Sequence, residues 1–230
     1  MAATGVLVGL AAEAACLAGL GDGIVIARSG ARPERALCQC ESLIAGGAAA
    51  LVSFGIAGAL VPGLEPGALL LPERVVTPAG AGAGTADRGW HQRVAGLAGA
   101  AGLAMVTGVA LAGSDHAVTG VAAKAALART SGAAAVDMES HIVAAVARRH
   151  GLPFLVVRAI ADPADRAIPG AALAGLGPDG ETRPWAVVVR LLASPWSLPA
   201  LLRLAADSKA GLTALAELAG RLGPAAFRLL

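Results

Sequence analysis

The sequence AAVDMESHIVAAVARRHGLPFLVVRAIADPAD, from Ala134 to Asp165, decides the fold class. Its pattern predicts a short apolar strand that ends at Asp137, a helix that begins after Glu139, a Gly-Leu-Pro turn, and a buried strand from Phe154 to Ile160. An acidic residue therefore follows each strand, with Asp162 after the second. Ligands of open α/β sheets bind beside the carboxyl ends of the strands. We therefore expect these acids to line a functional site.

Strand and helix patterns alternate through the rest of the chain. Predicted strands run from Gly5 to Leu10, Ile24 to Ala27, Ala50 to Phe54 and Met105 to Ala110, and predicted helices run from Ala11 to Leu20, Pro33 to about Ala45, Asp87 to Gly102 and Ala117 to Thr130. The segment from Thr77 to Gly84 is interpreted as a flexible loop, either a lid or a linker. Such alternation predicts a three-layer α/β fold, in which a twisted, mostly parallel central sheet carries helices on both faces.

Length and composition bound the number of domains. The chain has 230 residues, of which 56% are hydrophobic, and this is enough material for one core. We expect an α/β domain over residues 1–183 and a helical segment over residues 184–230, with helices from Trp185 to Leu192 and from Leu198 to about Leu222. The apolar face of the second helix either packs on the same domain, contacts a partner subunit or meets a membrane.

Charge and cysteine content exclude several classes of protein. The net charge is +2 and only 15% of the residues are charged, so we do not expect a nucleic-acid partner. The three cysteines have no metal-ligand spacing with the histidines and are interpreted as small buried residues in a reducing compartment, so no metal site is predicted. The apolar runs 42–64 and 94–114 are rich in Gly and Ala, which favours a cytoplasmic protein over a membrane-spanning one.

Two further segments place candidate site residues after predicted strands. Glu13 follows the first strand, where it either joins the site or complements the dipole of the next helix. Gly55, Ile56, Ala57 and Gly58 form a predicted turn after the third strand. Glycines at this point either let the backbone approach a ligand closely or serve the turn alone.

A polar segment, Gly113-Ser114-Asp115-His116, follows another predicted strand. Asp115 and His116 either contact a ligand, or Asp115 caps the next helix and leaves its neighbour exposed. The second strand likewise ends in Arg28-Ser29-Gly30.

The stretch quoted first resembles the signature of the nucleoside phosphorylase and nucleosidase superfamily, which holds purine nucleoside phosphorylases and methylthioadenosine/S-adenosylhomocysteine nucleosidases. The likeness rests on the Met138-Glu139 pair that opens a helix and on the strand that ends in Arg158-Ala159-Ile160-Ala161-Asp162. The segments VSFGIAGAL, RSG and GSDHAV occur in the family's order. The likeness extends from Gly5 to Asp165, and it implies a phosphorylase/hydrolase-like three-layer fold and a homodimer.

The resemblance also implies roles for the acids. Asp162 would be the general acid that protonates adenine at N7, while Glu13 would orient or deprotonate the attacking water. Met138 would pack against the sugar, and Glu139 would accept hydrogen bonds from its 2′ and 3′ hydroxyls. The base or substrate pocket would include Gly55, Ile56, Ala57, Gly58, Ser114, Asp115, Ala117 and Val118.

One acidic and one basic residue of the quoted stretch are expected to have structural roles. Asp137 is predicted to cap the helix that follows it. Arg158 is interpreted as an ion-pair partner inside the sheet rather than a substrate ligand. Without the signature, Asp162 would also be interpreted as structural, either as a helix cap or as an ion-pair partner of Arg158.

The identity of the nucleophile stays open between water and inorganic phosphate. Phosphorylases of the superfamily hold phosphate with an Arg and a Ser that flank the glycine segment, where this chain has Ser53 and Ile56. This departure favours water and a reaction without any other cofactor. A phosphate site from another loop remains as the alternative, with Arg28, Ser29, Gly30 and Arg35 as its candidate residues.

The substrate follows from a softer likeness to the hopanoid-associated members of the family. The GLAAEA opening, the SDHAV segment and the C-terminal tail LLASPWSLPALLRLAADSKAGL carry this likeness, which implies adenosylhopane as the substrate, from which adenine is released. With such a substrate, the apolar face of the C-terminal helix would make peripheral contact with the inner face of the membrane. The adenine-stacking Phe of the family falls near Ala117 and Val118, which implies a roomier base pocket. The alternatives are an enzyme for small soluble purine nucleosides and a nucleoside-binding module without catalysis.

Overall fold

A computed structural model describes residues 3–170 and 197–229 of the chain. The predicted helix from Trp185 to Leu192 and the predicted boundary between residues 183 and 184 lie outside these residues. The strands are β1 (Ala3–Val8), β2 (Ile24–Arg28), β3 (Ala48–Ala59), β4 (Leu69–Leu70), β5 (Arg74–Val76), β6 (Gly82–Thr85), β7 (Met105–Val106), β8 (Ala110–Gly113), β9 (Ala135–Asp137) and β10 (Phe154–Asp162). The helices are α1 (Ala11–Cys16), α2 (Pro33–Ala45), α3 (Arg88–Ala100), α4 (Val121–Ser131), α5 (Ser140–His150), α6 (Leu198–Leu222) and α7 (Pro224–Phe227).

The strands pair into one sheet in which parallel neighbours dominate. Parallel pairings join β1 to β2 and β3, β3 to β10, β4 to β7, β5 to β8, and β8 to β9. Antiparallel pairings join β10 to β4, β3 to β9, and β5 to β6. Strand β3 is central, because β1, β9 and β10 all pair with it. The prediction of a mostly parallel sheet is confirmed.

Helices cover both faces of this sheet, which confirms the predicted three layers. On one face, α2 and α5 pack through residues such as Leu43 and Val143 against Leu51 and Val156 of the sheet. On the other face, α1, α3, α6 and α7 enclose a second core. This arrangement follows from the sequence, because strands that are covered on both faces need nearly continuous apolar runs such as those of β3 and β10.

The glycine segment after Phe54 is a correction to the sequence analysis. Gly55, Ile56, Ala57 and Gly58 were predicted to form a turn, but they continue strand β3 and pair with β10 in parallel register. The strand persists because the pairing satisfies the backbone groups of these residues on the β10 side. The glycines serve a different purpose here, since they leave room for acidic side chains that lie over the strand.

Other boundaries also differ from the prediction. Part of the predicted loop from Thr77 to Gly84 belongs to β6, which forms a hairpin with β5. The predicted strand from Met105 to Ala110 divides into β7 and β8 around Gly108, whose φ is +72°. Helix α4 begins at Val121 rather than at Ala117. The prediction of buried cysteines is wrong for Cys38, which is exposed.

The long helix α6 packs on the face of the sheet beside β10. Leu215 and Leu218 are fully buried in the core of this face, whereas Leu202, nearer the start of the helix, is 62% exposed. Gly211 allows the close approach, because a Cβ there would lie 2.9 Å from the carbonyl oxygen of Ile160. Among the helices of the described residues, none is both long enough and apolar enough to cross a membrane.

Candidate active site

Four acidic residues lie buried where β1, β9 and β10 end. They are Glu13, Asp137, Glu139 and Asp162, each no more than 9% exposed. Topology explains their meeting, because β1, β3 and β10 run parallel and present their carboxyl ends at one edge, and β9 pairs with the end of β3. Buried carboxylates without partners are costly, so the partners of each acid indicate what it can do.

Glu13 lies in the first turn of α1 and is held by three backbone N–H groups. Its Oε2 atom accepts hydrogen bonds from Gly9 N and Leu10 N, both at 2.8 Å, and its Oε1 atom accepts one from Ile56 N at 2.8 Å. The side chain therefore lies in the first turn of α1, where it complements the helix dipole as one of the two alternatives proposed, and it also ties α1 to β3. A Cβ on Gly55 would lie only 2.3 Å from Oε1, so glycine is required there for this contact.

Glu139 lies beside Glu13, across Gly9. A Cβ on Gly9 would lie 2.8 Å from Oε1 of Glu139 and 3.3 Å from Oε2 of Glu13, so the two carboxylates flank the same glycine. The hydroxyl of Ser29 donates to Oε1 of Glu139 at 3.2 Å. Ser29 was predicted as part of a phosphate site, but the structure gives it a carboxylate partner.

Asp137 and Arg158 form a buried ion pair within the sheet. The Nε atom of Arg158 donates to Oδ2 of Asp137 at 2.6 Å, and Nη2 donates to the hydroxyl of Ser53 at 2.6 Å. Asp137 also accepts from the backbone N–H of Ser140 at 3.1 Å, at the start of α5. Both residues have the structural partners that the sequence analysis expected of them, and Ser53 completes the network.

Asp162 pairs with a buried lysine and not with Arg158. The ammonium group of Lys124, in α4, contacts Oδ2 of Asp162. The irregular register between Ile160 and Asp162 ends β10 with Asp162 opposite Gly58. A Cβ on Gly58 would lie 2.9 Å from Oδ1 and 3.0 Å from Oδ2 of Asp162, so the whole carboxylate lies over the backbone of β3.

Burial controls the protonation of these acids. It raises the pKa of Glu139 to about 8, and the neighbouring charges of Asp137 and Glu13 act in the same direction against Arg158. Burial also raises the pKa of Glu13, against Arg158 and the three N–H donors. Because Glu139 shares one guanidinium with two other carboxylates, its protonated form is favoured near neutral pH. Burial likewise raises the pKa of Asp162, although Lys124 opposes the rise.

The remaining predicted pocket residues lie near the same edge with varied exposure. The backbone N–H of Ser114 donates to the carbonyl oxygen of Asp137 at 2.9 Å, which fixes the end of β8 beside β9. Asp115 is exposed and bonds His141 at 3.0 Å; it does not cap α4, whose cap is Gly120, so that alternative is wrong. Val118 is half-buried and Ala117 is exposed.

Met138 and the basic candidates complete the set. Met138 is half-buried between Asp137 and Glu139, while Arg28 is exposed and Arg35 is half-buried. Gly30 is buried, with φ at +70°, and turns the chain after β2. In the described part of the chain, no three His, Cys, Asp or Glu side chains are grouped so that they could hold a metal ion.

Sequence reasoning missed Lys124 and the hydroxyls that join the carboxylates. Lys124 occurs in an alanine-rich helix, where a lysine normally faces solvent. One signal was available, because Lys124 and Lys209 are the only lysines among 18 basic residues. In a chain that uses arginine at almost every basic position, a lysine inside an apolar helix pattern indicates a site that suits an ammonium group better than a guanidinium.

Comparison with known protein families gives one match. The profile of the Phosphorylase superfamily matches residues 14–182. A search of curated proteins found no match.

Solved structures share the fold at low identity. Futalosine hydrolase of Helicobacter pylori strain 26695 gives a TM-score of 0.72 at 18% identity, covering 96% of this chain and 97% of that one. The 5′-methylthioadenosine/S-adenosylhomocysteine nucleosidase of Neisseria meningitidis, in complex with methylthio-immucillin-A, gives 0.74 at 15% identity, covering 98% and 100%. A mutant of the Helicobacter pylori nucleosidase with 5′-methylthioadenosine in the active site gives 0.68 at 17% identity, covering 96% and 99%. Because the profile spans well over half of the sequence, the chain belongs to the phosphorylase superfamily.

Proposed function

We propose that this protein hydrolyses the N-glycosidic bond of adenine nucleosides and releases adenine. The observation that carries the proposal is the pair of separate acidic groups at one sheet edge: Asp162 with its lysine, and Glu13 with Glu139 around Gly9. Glycosidic cleavage needs an acid at the leaving group and carboxylates near the sugar, where positive charge develops. The solved structures with nucleoside analogues support the same class of reaction.

The proposed reaction divides the work among these residues. Asp162 gives its proton to N7 of adenine as the bond between N9 and the sugar breaks, so the electron pair of that bond leaves with the base. Glu139 accepts hydrogen bonds from the ribose hydroxyls, and the negative charge of its ionised form favours the oxocarbenium-like sugar. Glu13 orients the water that attacks C1′ and takes up its proton.

Water is favoured over phosphate as the nucleophile by the partners of the polar groups at β3. Ser53 accepts from Arg158, and that guanidinium already neutralises Asp137, so this pair does not offer its charge to an anion. The hydroxyl of Ser29 donates to the carboxylate of Glu139, and a carboxylate at this position would repel a phosphate group. Phosphorolysis through Arg28 or Arg35 is the alternative reaction.

The proposed substrate is adenosylhopane, a nucleoside with a large apolar substituent. Its support is the sequence likeness together with the exposed leucines at the start of α6, Leu198 at 45% and Leu202 at 62% exposure. These leucines belong to the same helix as Asp207, which pairs with Arg166 in the segment that follows Asp162. Small soluble nucleosides are the alternative substrates. A homodimer and peripheral contact with the cytoplasmic face of the membrane remain predictions.

One set of assays tests these proposals. The purified protein is incubated with methylthioadenosine, adenosine or adenosylhopane, with and without inorganic phosphate, and adenine is quantified by chromatography. We expect phosphate-independent release of adenine, fastest from adenosylhopane. Release from the small nucleosides alone contradicts the lipid substrate, and a sugar 1-phosphate product contradicts hydrolysis. Nucleoside binding without release identifies a non-catalytic module.

A further inference from the structure

Helix α4 buries a lysine while it exposes apolar residues. Lys124 has 0% exposure, whereas Val121 in the same helix is 42% exposed. A surface helix normally turns its apolar side chains inward, so this orientation is maintained at a cost in hydrophobic burial. The contact that compensates is the pairing of Lys124 with Asp162 across two elements of the fold.

The ammonium group of Lys124 has an acceptor for each of its three protons. It contacts Oδ2 of Asp162, and it donates to the carbonyl oxygens of Pro163 at 2.8 Å and Arg166 at 2.9 Å. Every N–H of the buried ammonium group is therefore satisfied. Lys124 therefore places its ammonium group beside Oδ2 of Asp162 and not beside Oδ1, while both oxygens lie over Gly58 of β3.

We infer that Lys124 is a positioning residue that sets the proton of Asp162, an inference that rests on the proposed hydrolysis. By holding Oδ2, Lys124 leaves Oδ1 as the oxygen that carries the proton. When the Oδ1–H bond breaks and the proton bonds N7 of the base, the electron pair stays on Oδ1. The carboxylate that results is stabilised by the adjacent ammonium, so Lys124 makes Asp162 a stronger acid.

Other charged groups near Asp162 do not replace this lysine. Asp207, on α6, acts against the ionisation of Asp162. Arg166, in the segment after β10, pairs with Asp207 and so offsets that charge. Lys124 is the cation that contacts the Asp162 carboxylate directly among the residues described, and its removal leaves burial and Asp207 to disfavour the charged form.

The first test compares Lys124→Met and Lys124→Arg with wild type, using Lys209→Met as the control because Lys209 is exposed on α6. Activity that needs protonated Asp162 declines at high pH, and loss of the ammonium moves that decline to higher pH. We expect Lys124→Met to lower kcat by about tenfold to a hundredfold with little change in KM. Lys124→Arg keeps the charge, so its decline should stay near the wild-type pH.

A purely structural lysine gives a different result. If Lys124 only fastens Pro163 and Arg166, Lys124→Met lowers thermal stability but leaves the pH of the decline unchanged, and that outcome overturns the inference. A substrate whose leaving group needs no proton, p-nitrophenyl riboside, separates the effects further. Lys124→Met should hydrolyse it as fast as wild type does, because no acid is required.

The titration of Asp162 tests the inference without any substrate. The protein is labelled with ¹³C at aspartate carboxyl carbons, and the Asp162 signal is identified by its absence in Asp162→Asn. We expect this signal to titrate at higher pH in Lys124→Met than in wild type or Lys124→Arg. An unchanged titration in a folded Lys124→Met protein overturns the inference, whereas a wild type that releases no adenine contradicts only the proposed function.

Discussion

The charge state of one buried carboxyl, Glu139, should contribute strongly to how the stability of the empty protein depends on pH. Its pKa of about 8 lies above the ordinary value of 4.5, so between these values the folded protein holds a proton that the unfolded chain has lost. The contribution of Glu139 is therefore fully present below pH 4.5 and is lost as the pH rises to about 8. Glu139→Gln removes this titration.

We expect the free energy of unfolding of wild type, relative to that of Glu139→Gln, to fall by an amount on the order of a few kcal/mol across this range. Urea denaturation at pH 5, 6, 7 and 8 measures the difference. Glu13 titrates in both proteins, so its contribution cancels to first order. Parallel pH profiles for the two proteins would show that the Glu139 carboxyl is already ionised in the fold.

Asp162 is the residue on which the proposed proton donation depends. Asp162→Asn keeps the shape of the side chain but removes the proton, and we expect kcat for adenine release to fall by about 10² to 10⁴. The control is Asp165→Asn, three positions further along the chain, where the side chain is 84% exposed. Thermal unfolding checks that both variants are folded. A folded Asp162→Asn protein with wild-type kcat would remove Asp162 from the reaction.

At the scale of residues, the sequence identified the acids but not the groups that control them. Asp162 and Glu139 were accessible because each follows a predicted strand, and strand ends share one edge of a parallel sheet. The pairing of Lys124 was not accessible, because its partner is 38 residues away and lies on another element. Only the assembled fold brings α4 over the end of β10.

Strand β3 determines how closely the acids approach the sheet, and Gly55 is its most constrained position. In Gly55→Ala the new Cβ would lie 2.3 Å from Oε1 of Glu13, so the carboxylate must move and lose its bond to Ile56 N. We expect the free energy of unfolding to fall by about 1–3 kcal/mol and adenine release to fall with it. Urea denaturation and the adenine assay measure the two effects.

Gly96→Ala is the matched control for this substitution. Gly96 lies in α3, and a Cβ there meets no atom within 4 Å. Alanine is the better helix former, so this variant should be more stable than wild type by about 0.5–1 kcal/mol and equally active. Equal effects at both glycines would mean that the close contact between Gly55 and Glu13 does not constrain the site.

At the scale of elements, the sequence predicted most helices and strands but misjudged where they stop. Helix α2 was predicted at its observed bounds, since Pro33 and the glycines after Ala45 mark its ends. Strand β3 was predicted too short, because its glycines were interpreted as a turn. In the structure they leave room for the carboxylates that lie over the strand. Such a reason depends on contacts with α1 and β10, and local pattern does not contain it.

The whole molecule depends on how its C-terminal helices join the sheet. The indole N–H of Trp90, in α3, donates to the carbonyl oxygen of Ala226 at 2.8 Å, and the ring of Phe227 meets that of Phe54 edge to face at 5.7 Å. Helix α6 packs against β10, the strand that carries Asp162. The described part of the C-terminal segment therefore contributes to the same core as the strands that position the acids.

Substitution of two leucines of α6 tests whether this helix packs in the core of the protein or becomes ordered only against a membrane or a partner. Leu218 is fully buried and Leu202 is 62% exposed. We expect Leu218→Ala to lower the free energy of unfolding by about 2–5 kcal/mol, because it opens a cavity beside the sheet. Leu202→Ala should change it by less than about 0.5 kcal/mol, since no packed contact is lost. Urea denaturation of the isolated protein, without lipid, measures both.

If α6 becomes ordered only against a membrane or a second subunit, Leu218→Ala will be as mild as Leu202→Ala. If the helix belongs to the core, the two substitutions have different effects on the free energy of unfolding. Leu202→Ala is then the variant whose activity on an apolar substrate can be compared with wild type without a loss of stability.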